Sequence, residues 1–226
     1  MATQFLRALV ALNIPHSQWH RTEETSNLIT KTQKATRVVL LIPDKAIHSF
    51  VDDHSELLKN KTLIHFSATL NDSRILGFHP LGMFNKDQKI NFEEIQFHGP
   101  HPESLFREAL PFLKNSYKEL SPQEMQLYHA LCVVGGNFSA ILWNAFFKEM
   151  KKLGVSNSAA QSYFKLFTQN VVANPSTSVT GPLARNDTPT LEKNIAALKA
   201  CPELQSIYKA FVETFTQTHS HTEYLK

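Results

Sequence analysis

Between Met125 and Phe147 the chain reads MQLYHALCVVGGNFSAILWNAFF, 23 residues without one acidic or basic charge. A stretch so apolar has two homes, the interior of a protein or the hydrocarbon of a bilayer, and its length alone permits the second. Its composition favours the first. Gln126, His129, Asn137, Ser139 and Asn144 would each need a hydrogen-bond partner in lipid, so the expectation is a helix buried inside protein. Helical angles sort its residues into two faces. Leu127, Leu131, Val134, Phe138, Ile141, Leu142 and Ala145 form a bulky stripe; His129, Val133, Gly136, Asn137, Ala140 and Asn144 form a small, neutral-polar one. The second face either lines a cleft between domains or receives another helix, with His129 and the asparagines as satisfied core polars in the latter case. One small domain can hardly bury both faces, which implies a homodimer.

The helix has a strong start. Ser121-Pro122-Gln123-Glu124 combines a serine cap, a proline at the first helical position and a glutamate three residues after the cap. Gly154 is its natural stop. Further helices are expected over residues 156–172, from Thr188-Pro189 to about Ala200, and over 202–218, with residues 174–186 as a loop and the tail from His219 frayed.

Before Leu120 the pattern alternates. Residues 1–12 have helical spacing through Phe5, Leu6, Leu9, Val10 and Leu12. Residues 37–42, RVVLLI, are a continuous apolar run ended by Pro43, as in a buried parallel strand. Residues 46–58 have helical spacing, 62–66 (TLIHF) read as a strand, and shorter strands are expected over 17–21, 75–78 and 94–97. Residues 102–113 form a helix with Pro102 at its start and Glu103 where the dipole favours an acid. This alternation predicts an α/β domain with a parallel sheet over residues 1–120, followed by an all-helical domain over 121–226.

A net charge of +3 with scattered lysines and arginines gives no nucleic-acid footprint. Two distant cysteines, Cys132 and Cys201, and no export signal suggest a reducing cytoplasm. Cys132 sits in the apolar run and is expected as a buried thiol. His98-Gly99-Pro100-His101 and His219-Ser220-His221 are pairs without a matching second pair, so no metal is expected.

An α/β domain that binds a dinucleotide begins with a strand, a G-x-G-x-x-G or G-x-G-x-x-A turn and a helix, so that the pyrophosphate meets the helix N-terminus. Here Met1-Ala2-Thr3 occupies the end of that turn and Gln4 opens the first helix. The chain resembles the Rossmann-like oxidoreductase family with a C-terminal domain of unknown function 2520, related to pyrroline-carboxylate and ketopantoate reductases. The matching pieces are LLIPDKAI (40–47), IHFSATL (64–70), GFHPLGMF (77–84), YHALCVVGGNF (128–138) and TGPLARND (180–187), in the family's order. The departure is the missing first strand and glycine fingerprint. Three accounts fit: a start placed too late, a strand lost while another role was kept, or another segment filling the gap. A lost central strand exposes two ladder edges, which favours the first.

The resemblance implies hydride transfer from a nicotinamide cofactor to a carbonyl or imine of a small molecule. The alternative is a non-catalytic dimeric binding or scaffold protein that has lost cofactor binding. His20, Arg21 and Thr22 follow the expected second strand, and positive charge with hydroxyls there favours NADP. Ile42 and Pro43 end a strand on the nicotinamide side and would touch the cofactor through their backbone, with Asp44 as a helix cap. Ser67 and His79 also stand at strand ends, Ser67 to hydrogen-bond a ligand and His79 to shuttle a proton. His129 and Asn137 are the catalytic candidates of the long helix, one as proton donor and one polarising the acceptor. Arg185 offers a clamp for a substrate carboxylate, unless it pairs with Asp187; Asp187 itself can cap a helix.

Overall fold

A computed structural model describes residues 1–219. The expected fraying beyond His219, and His221 of the second histidine pair, lie outside the described residues.

The sheet is built on β1 (Arg37–Leu40) and β2 (Thr62–His65), which pair in parallel with Arg37 opposite Thr62 and Leu40 opposite His65. β3 (Leu76–Gly77) continues the parallel ladder on the far side of β2. One residue later Phe78 N donates to His65 O (3.0 Å), and β4 (His79–Pro80) turns to pair antiparallel with β5 (Phe97–Gly99), His79 opposite His98. β5 pairs in parallel with β6 (Tyr117–Glu119). The short run from Leu76 to Pro80 thus stitches two three-stranded sheets together. The outer edge of β1 carries no ladder among the described residues.

Side chains alternate across a strand, and the two faces of this sheet have separate cores. Ile64 and Phe66 point to one side, against Phe5 and Leu9 of α1 (Ala2–Ala11) and Phe106 of α5 (Glu103–Ala109). Phe5 meets Phe66 edge-on at 5.0 Å, and Phe106 meets Phe78 at 5.2 Å. Leu40 and Leu63 point to the other side, against Ile47 and Val51 of α3 (Ile47–Asp53) and Leu58 of α4 (Ser55–Leu58). Helices on both faces of a mainly parallel sheet give the layered Rossmann-like arrangement.

The expected strand over 17–21 does not form: these residues join no ladder, and Arg21 lies in a turn closed by Glu23 N donating to His20 O (2.8 Å). A strand exists through its ladder, and here no neighbour supplies one. The helix expected over 46–58 is broken at His54 into α3 and α4, and its first turn is a tight 3₁₀ turn, Asp44–Ala46. The helix expected over 102–113 stops at Ala109, because Pro111 holds Leu110 out of helical conformation. α2 (Thr25–Gln33) completes the helices before the long one.

The long helix is uninterrupted from Pro122 to Lys152. It comprises α6 (Pro122–Cys132), one π-helical stretch (Val133–Phe138) and α7 (Ser139–Lys152). Its capping box is complete: Ser121 Oγ accepts from Glu124 N (3.3 Å) and Glu124 Oε2 from Ser121 N (2.7 Å). Two compact units divide at Phe138/Ser139, later than the 120/121 boundary read from the sequence, because α6 packs on β5.

The second unit is all helical: α7, α8 (Asn157–Ala173), α9 (Gly181–Ala184), α10 (Thr188–Ala197) and α11 (Pro202–His219). Trp143 joins α7 to α8 through an edge contact with Phe164 at 4.5 Å. Asn194 of α10 donates to Tyr208 Oη of α11 (3.0 Å).

The long helix departs from its expected burial. Where α6 meets β5, Met125 is buried and Tyr128, His129 and Cys132 are half-buried, whereas Leu127, Leu131, Val134, Phe138 and Ile141 of the bulky stripe are all more than half exposed. None of its most apolar 18 residues is buried, and its mean hydropathy there is 1.5, enough by length and composition to cross a membrane. Cys132 is half-buried rather than buried.

Candidate functional site

Ligands of open α/β sheets sit at the carboxyl ends of the strands. Three of those ends come together here. After β2, Ser67 Oγ donates to Asp44 Oδ2 after β1, and accepts from Leu70 N (3.1 Å) and Thr69 N (3.3 Å). Ser67 is therefore engaged in holding two loops together. Asp44 does not cap its helix, as its sequence position suggested, because its carboxylate is taken by Ser67. Pro43 between them is exposed and lacks an N–H, so the strand end offers backbone carbonyls and open space.

His65, at the end of β2, is 1% exposed. Its Nδ1 accepts from Ser67 N (3.2 Å), and its ring lies so close to Gly77 that a Cβ there would stand 2.7 Å from Cε1. Burial pulls its pKa down to about 4, against the opposing pull of the Asp44 carboxylate. It is neutral near pH 7 and supports the strand end by shape.

At the end of β4, His79 meets the long helix. Its Nδ1 is 3.0 Å from Tyr128 Oη, and its ring lies 6.0 Å from that of His129. Tyr128 in turn stacks on His98, the β5 partner of His79, at 4.5 Å and 29°. Burial first, then the charges His129 and His98 would carry, press the His79 pKa down to about 4. Burial also lowers His98, whose Nδ1 is buried without a hydrogen-bond partner, and it raises the Tyr128 phenol well above its usual range, with Cys132 adding to the rise. The chain delivers these groups because Met125, Tyr128, His129 and Cys132 share the helix face turned to β5. One turn on, the helix widens into its π-stretch, a distortion frequent at functional sites. Gly136 there leaves room for Met83, whose Sδ would stand 3.0 Å from an added Cβ.

The sequence-predicted residues thus fall into groups. His79 and His129 are brought together; Ser67 stands at the neighbouring strand end beside Ile42 and Pro43, tied to Asp44. Asn137 is exposed within the π-stretch. Arg185 belongs to the second unit, exposed at the end of α9, and makes no ion pair with Asp187; Asp187 instead caps α10 by accepting from Thr190 N (3.2 Å). Tyr128 was passed over in the sequence, although it stands beside His129 within the quoted motif.

His20, Arg21 and Thr22 are exposed. Glu23, the acid that could compete for ribose hydroxyls, is already engaged: its carboxylate accepts from His20 N (2.9 Å) and pairs with Lys31. Both contacts, Lys31 foremost, lower its pKa. A groove of about 550 Å³ runs beside them, lined by Ala2, Thr3, Leu6, Gln18 and His20. The residues present suit the nicotinamide half of a dinucleotide, at the ends of β1, β2 and β4. For the diphosphate they present the first turn of α1, without a strand and glycine turn among the described residues. No group of three or more His, Cys, Asp or Glu among the described residues is placed to hold a metal ion.

The model of the domain of unknown function DUF2520 matches residues 100–215. Among solved structures, a Bacteroides fragilis protein described as a candidate NADP oxidoreductase is similar over 96% of this chain and 94% of its own, at 17% identity and a TM-score of 0.77. A Thermotoga maritima protein is similar over 82% of this chain and 80% of its own, at 18% identity and a TM-score of 0.63. Pyrroline carboxylate reductase from Plasmodium falciparum, with NADP bound, is similar over 84% of this chain and 78% of its own, at 14% identity and a TM-score of 0.50. No curated protein sequence matches the chain.

Proposed function

The chain belongs to the family defined by the domain of unknown function DUF2520, and from that premise we propose that it is a nicotinamide-dependent oxidoreductase acting on the carbonyl or imine of a small molecule. The observation that carries the reading is the convergence of His79, Tyr128 and His129 beside the open ends of β1 and β2. There a flat ring can lie along Ile42 and Pro43 while hydrogen-bonding side chains face the acceptor. The relatives described as NADP oxidoreductase and as pyrroline carboxylate reductase with NADP bound support the same class of cofactor.

The cofactor of this reading is NADP. Arg21 and Thr22 are exposed and Glu23 is occupied by Lys31 and His20 N, which leaves positive charge and a hydroxyl free for a 2′-phosphate. His79 and His129 face the reacting group, and Ser67 and Asp44 keep the strand ends in place. The test is thermal unfolding with NADPH, with NADH and with neither. A ligand at about 100 times its dissociation constant stabilises the fold by about 2.7 kcal/mol. A shift with NADPH, followed by its oxidation in the presence of small aldehydes, ketones or cyclic imines, supports the reading. The absence of any shift overturns it in favour of a non-catalytic binding protein.

A second copy of the chain is the partner this reading includes. Leu127 at 62%, Leu131 at 60% and Ile141 at 59% exposure form a continuous apolar stripe of a kind that soluble monomers rarely leave open. Light scattering at working concentration tests it, and a monomeric mass overturns it.

A further inference from the structure

We propose that Tyr128 is the catalytic proton donor of this site, and that His79 is the positioning residue that aims its hydroxyl and restores its proton. The inference rests on the oxidoreductase reading above and gives the proton donor's role, for which the sequence points to His129, to Tyr128.

The geometry is specific. Tyr128 Oη stands 3.0 Å from His79 Nδ1. Its ring is clamped between His98, stacked at 4.5 Å, and His79, edge-on at 5.5 Å. Two strands joined by backbone pairing hold both histidines, so the hydroxyl has one well-defined place. Tyr128 is half-buried.

The chemistry agrees. The titratable groups around the pair are Asp44 after β1, His98 on β5, and His129 and Cys132 on the helix. Burial keeps His79 neutral, with a pKa of about 4, so about one molecule in a thousand carries its extra proton at neutral pH. The phenol of Tyr128 is protonated throughout that range. With Nδ1 protonated, His79 donates to Oη, and the phenolic hydrogen, which is also within reach of Cys132, turns to the ligand when one binds. The acceptor carbon takes a hydride, with its electron pair, from a dihydronicotinamide. The π pair of the C=O or C=N bond moves onto the oxygen or nitrogen, which takes the phenolic proton. The phenolate recovers a proton from Nδ1 of His79, and Nε2 takes one from water, leaving the imidazole neutral in its other tautomer.

The test uses the full chain and Tyr128→Phe, which keeps the ring and its stacking on His98. In the ligand-free protein, nitrogen-15 spectra of the histidines should show a hydrogen-bonded Nδ1–H on His79 that is lost in Tyr128→Phe. With NADPH and whichever panel carbonyl or imine the parent reduces, Tyr128→Phe should lower kcat by about 100-fold or more with KM for NADPH unchanged. His79→Asn should lose less. Incorporation of 3-fluorotyrosine at position 128, which preserves shape and makes the phenol a stronger acid, should change kcat with KM for NADPH unchanged; it also covers the case in which Tyr128→Phe misfolds. A Tyr128→Phe enzyme within about threefold of the parent, a kcat unmoved by 3-fluorotyrosine, or a bare Nδ1 in the parent overturns the assignment while leaving the oxidoreductase reading intact. A parent that binds NADPH and reduces nothing in the panel overturns both.

Discussion

Acid should loosen the first unit through His65, and the size of the effect can be worked out. This histidine is 1% exposed, and burial lowers its pKa from 6.5 to about 4. The unfolded chain therefore binds its proton first as pH falls, so the stability His65 contributes is complete above 6.5 and is lost between 6.5 and about 4. At about 1.4 kcal/mol per pH unit the full loss is about 3 kcal/mol, most of it gone by about pH 4.5. That is a large part of a stability of about 5–15 kcal/mol. His79 titrates in the same direction, but it is only partly buried, and solvent screening reduces its share. The clean assay is therefore a difference. Urea unfolding of the parent and of His65→Gln is measured at about pH 7.5 and about pH 4.5. Glutamine removes the titration while its amide oxygen can still accept from Ser67 N. The parent should lose about 2–3 kcal/mol more than the variant over that interval. Equal losses in the two proteins would refute the argument, because they would mean that His65 keeps an ordinary pKa despite its burial.

Gly77→Ala should cost about 1–3 kcal/mol, since its Cβ would press within 2.7 Å of the His65 ring; a melting temperature equal to the parent's would contradict it. Ser121→Ala removes half of a complete capping box and should cost about 1 kcal/mol in denaturant unfolding. Arg21→Ala should weaken NADPH about tenfold or more and leave NADH unchanged, as calorimetry can show, if the free guanidinium holds a phosphate. Replacing Leu131 and Phe138 together by Glu, at positions 60% and 52% exposed, should give a monomer by light scattering with the first unit still folded by circular dichroism.

The parts of this fold that show in the sequence are those whose causes are local. The run RVVL and the run TLIH are apolar on both faces and become β1 and β2, flanked by a core on each side. Ser121-Pro122-Gln123-Glu124 starts a helix because its four residues satisfy one another. The misreadings come from partners far along the chain. Residues 17–21 read as a strand from their place in the alternation, yet a strand is a property of a pair. Asp44 looks like a cap, but Ser67, 23 residues later, takes its carboxylate. At the candidate site His79 and His129 were legible as histidines at a strand end and on a polar helix face. Tyr128 was not, because an angular sorting of the helix gives weight to small and polar residues. What marks Tyr128 is its pairing with His79 across 49 positions of sequence.

The unpaired outer edge of β1 has a consequence in time. β2 is held on both sides, by β1 and β3. In heavy water its amides can exchange hydrogen only when the unit opens, so their rates report how often that happens. The amides on the free edge of β1 need no opening and should exchange early. One sheet then contains both a fast and a slow reporter two residues or fewer from each other along β1 and across the ladder to β2, with Leu40 directly opposite His65. Any segment that settles against that edge, from this polypeptide or another, would turn the fast amides slow and leave the others unchanged, a signature readable without knowing in advance what had bound.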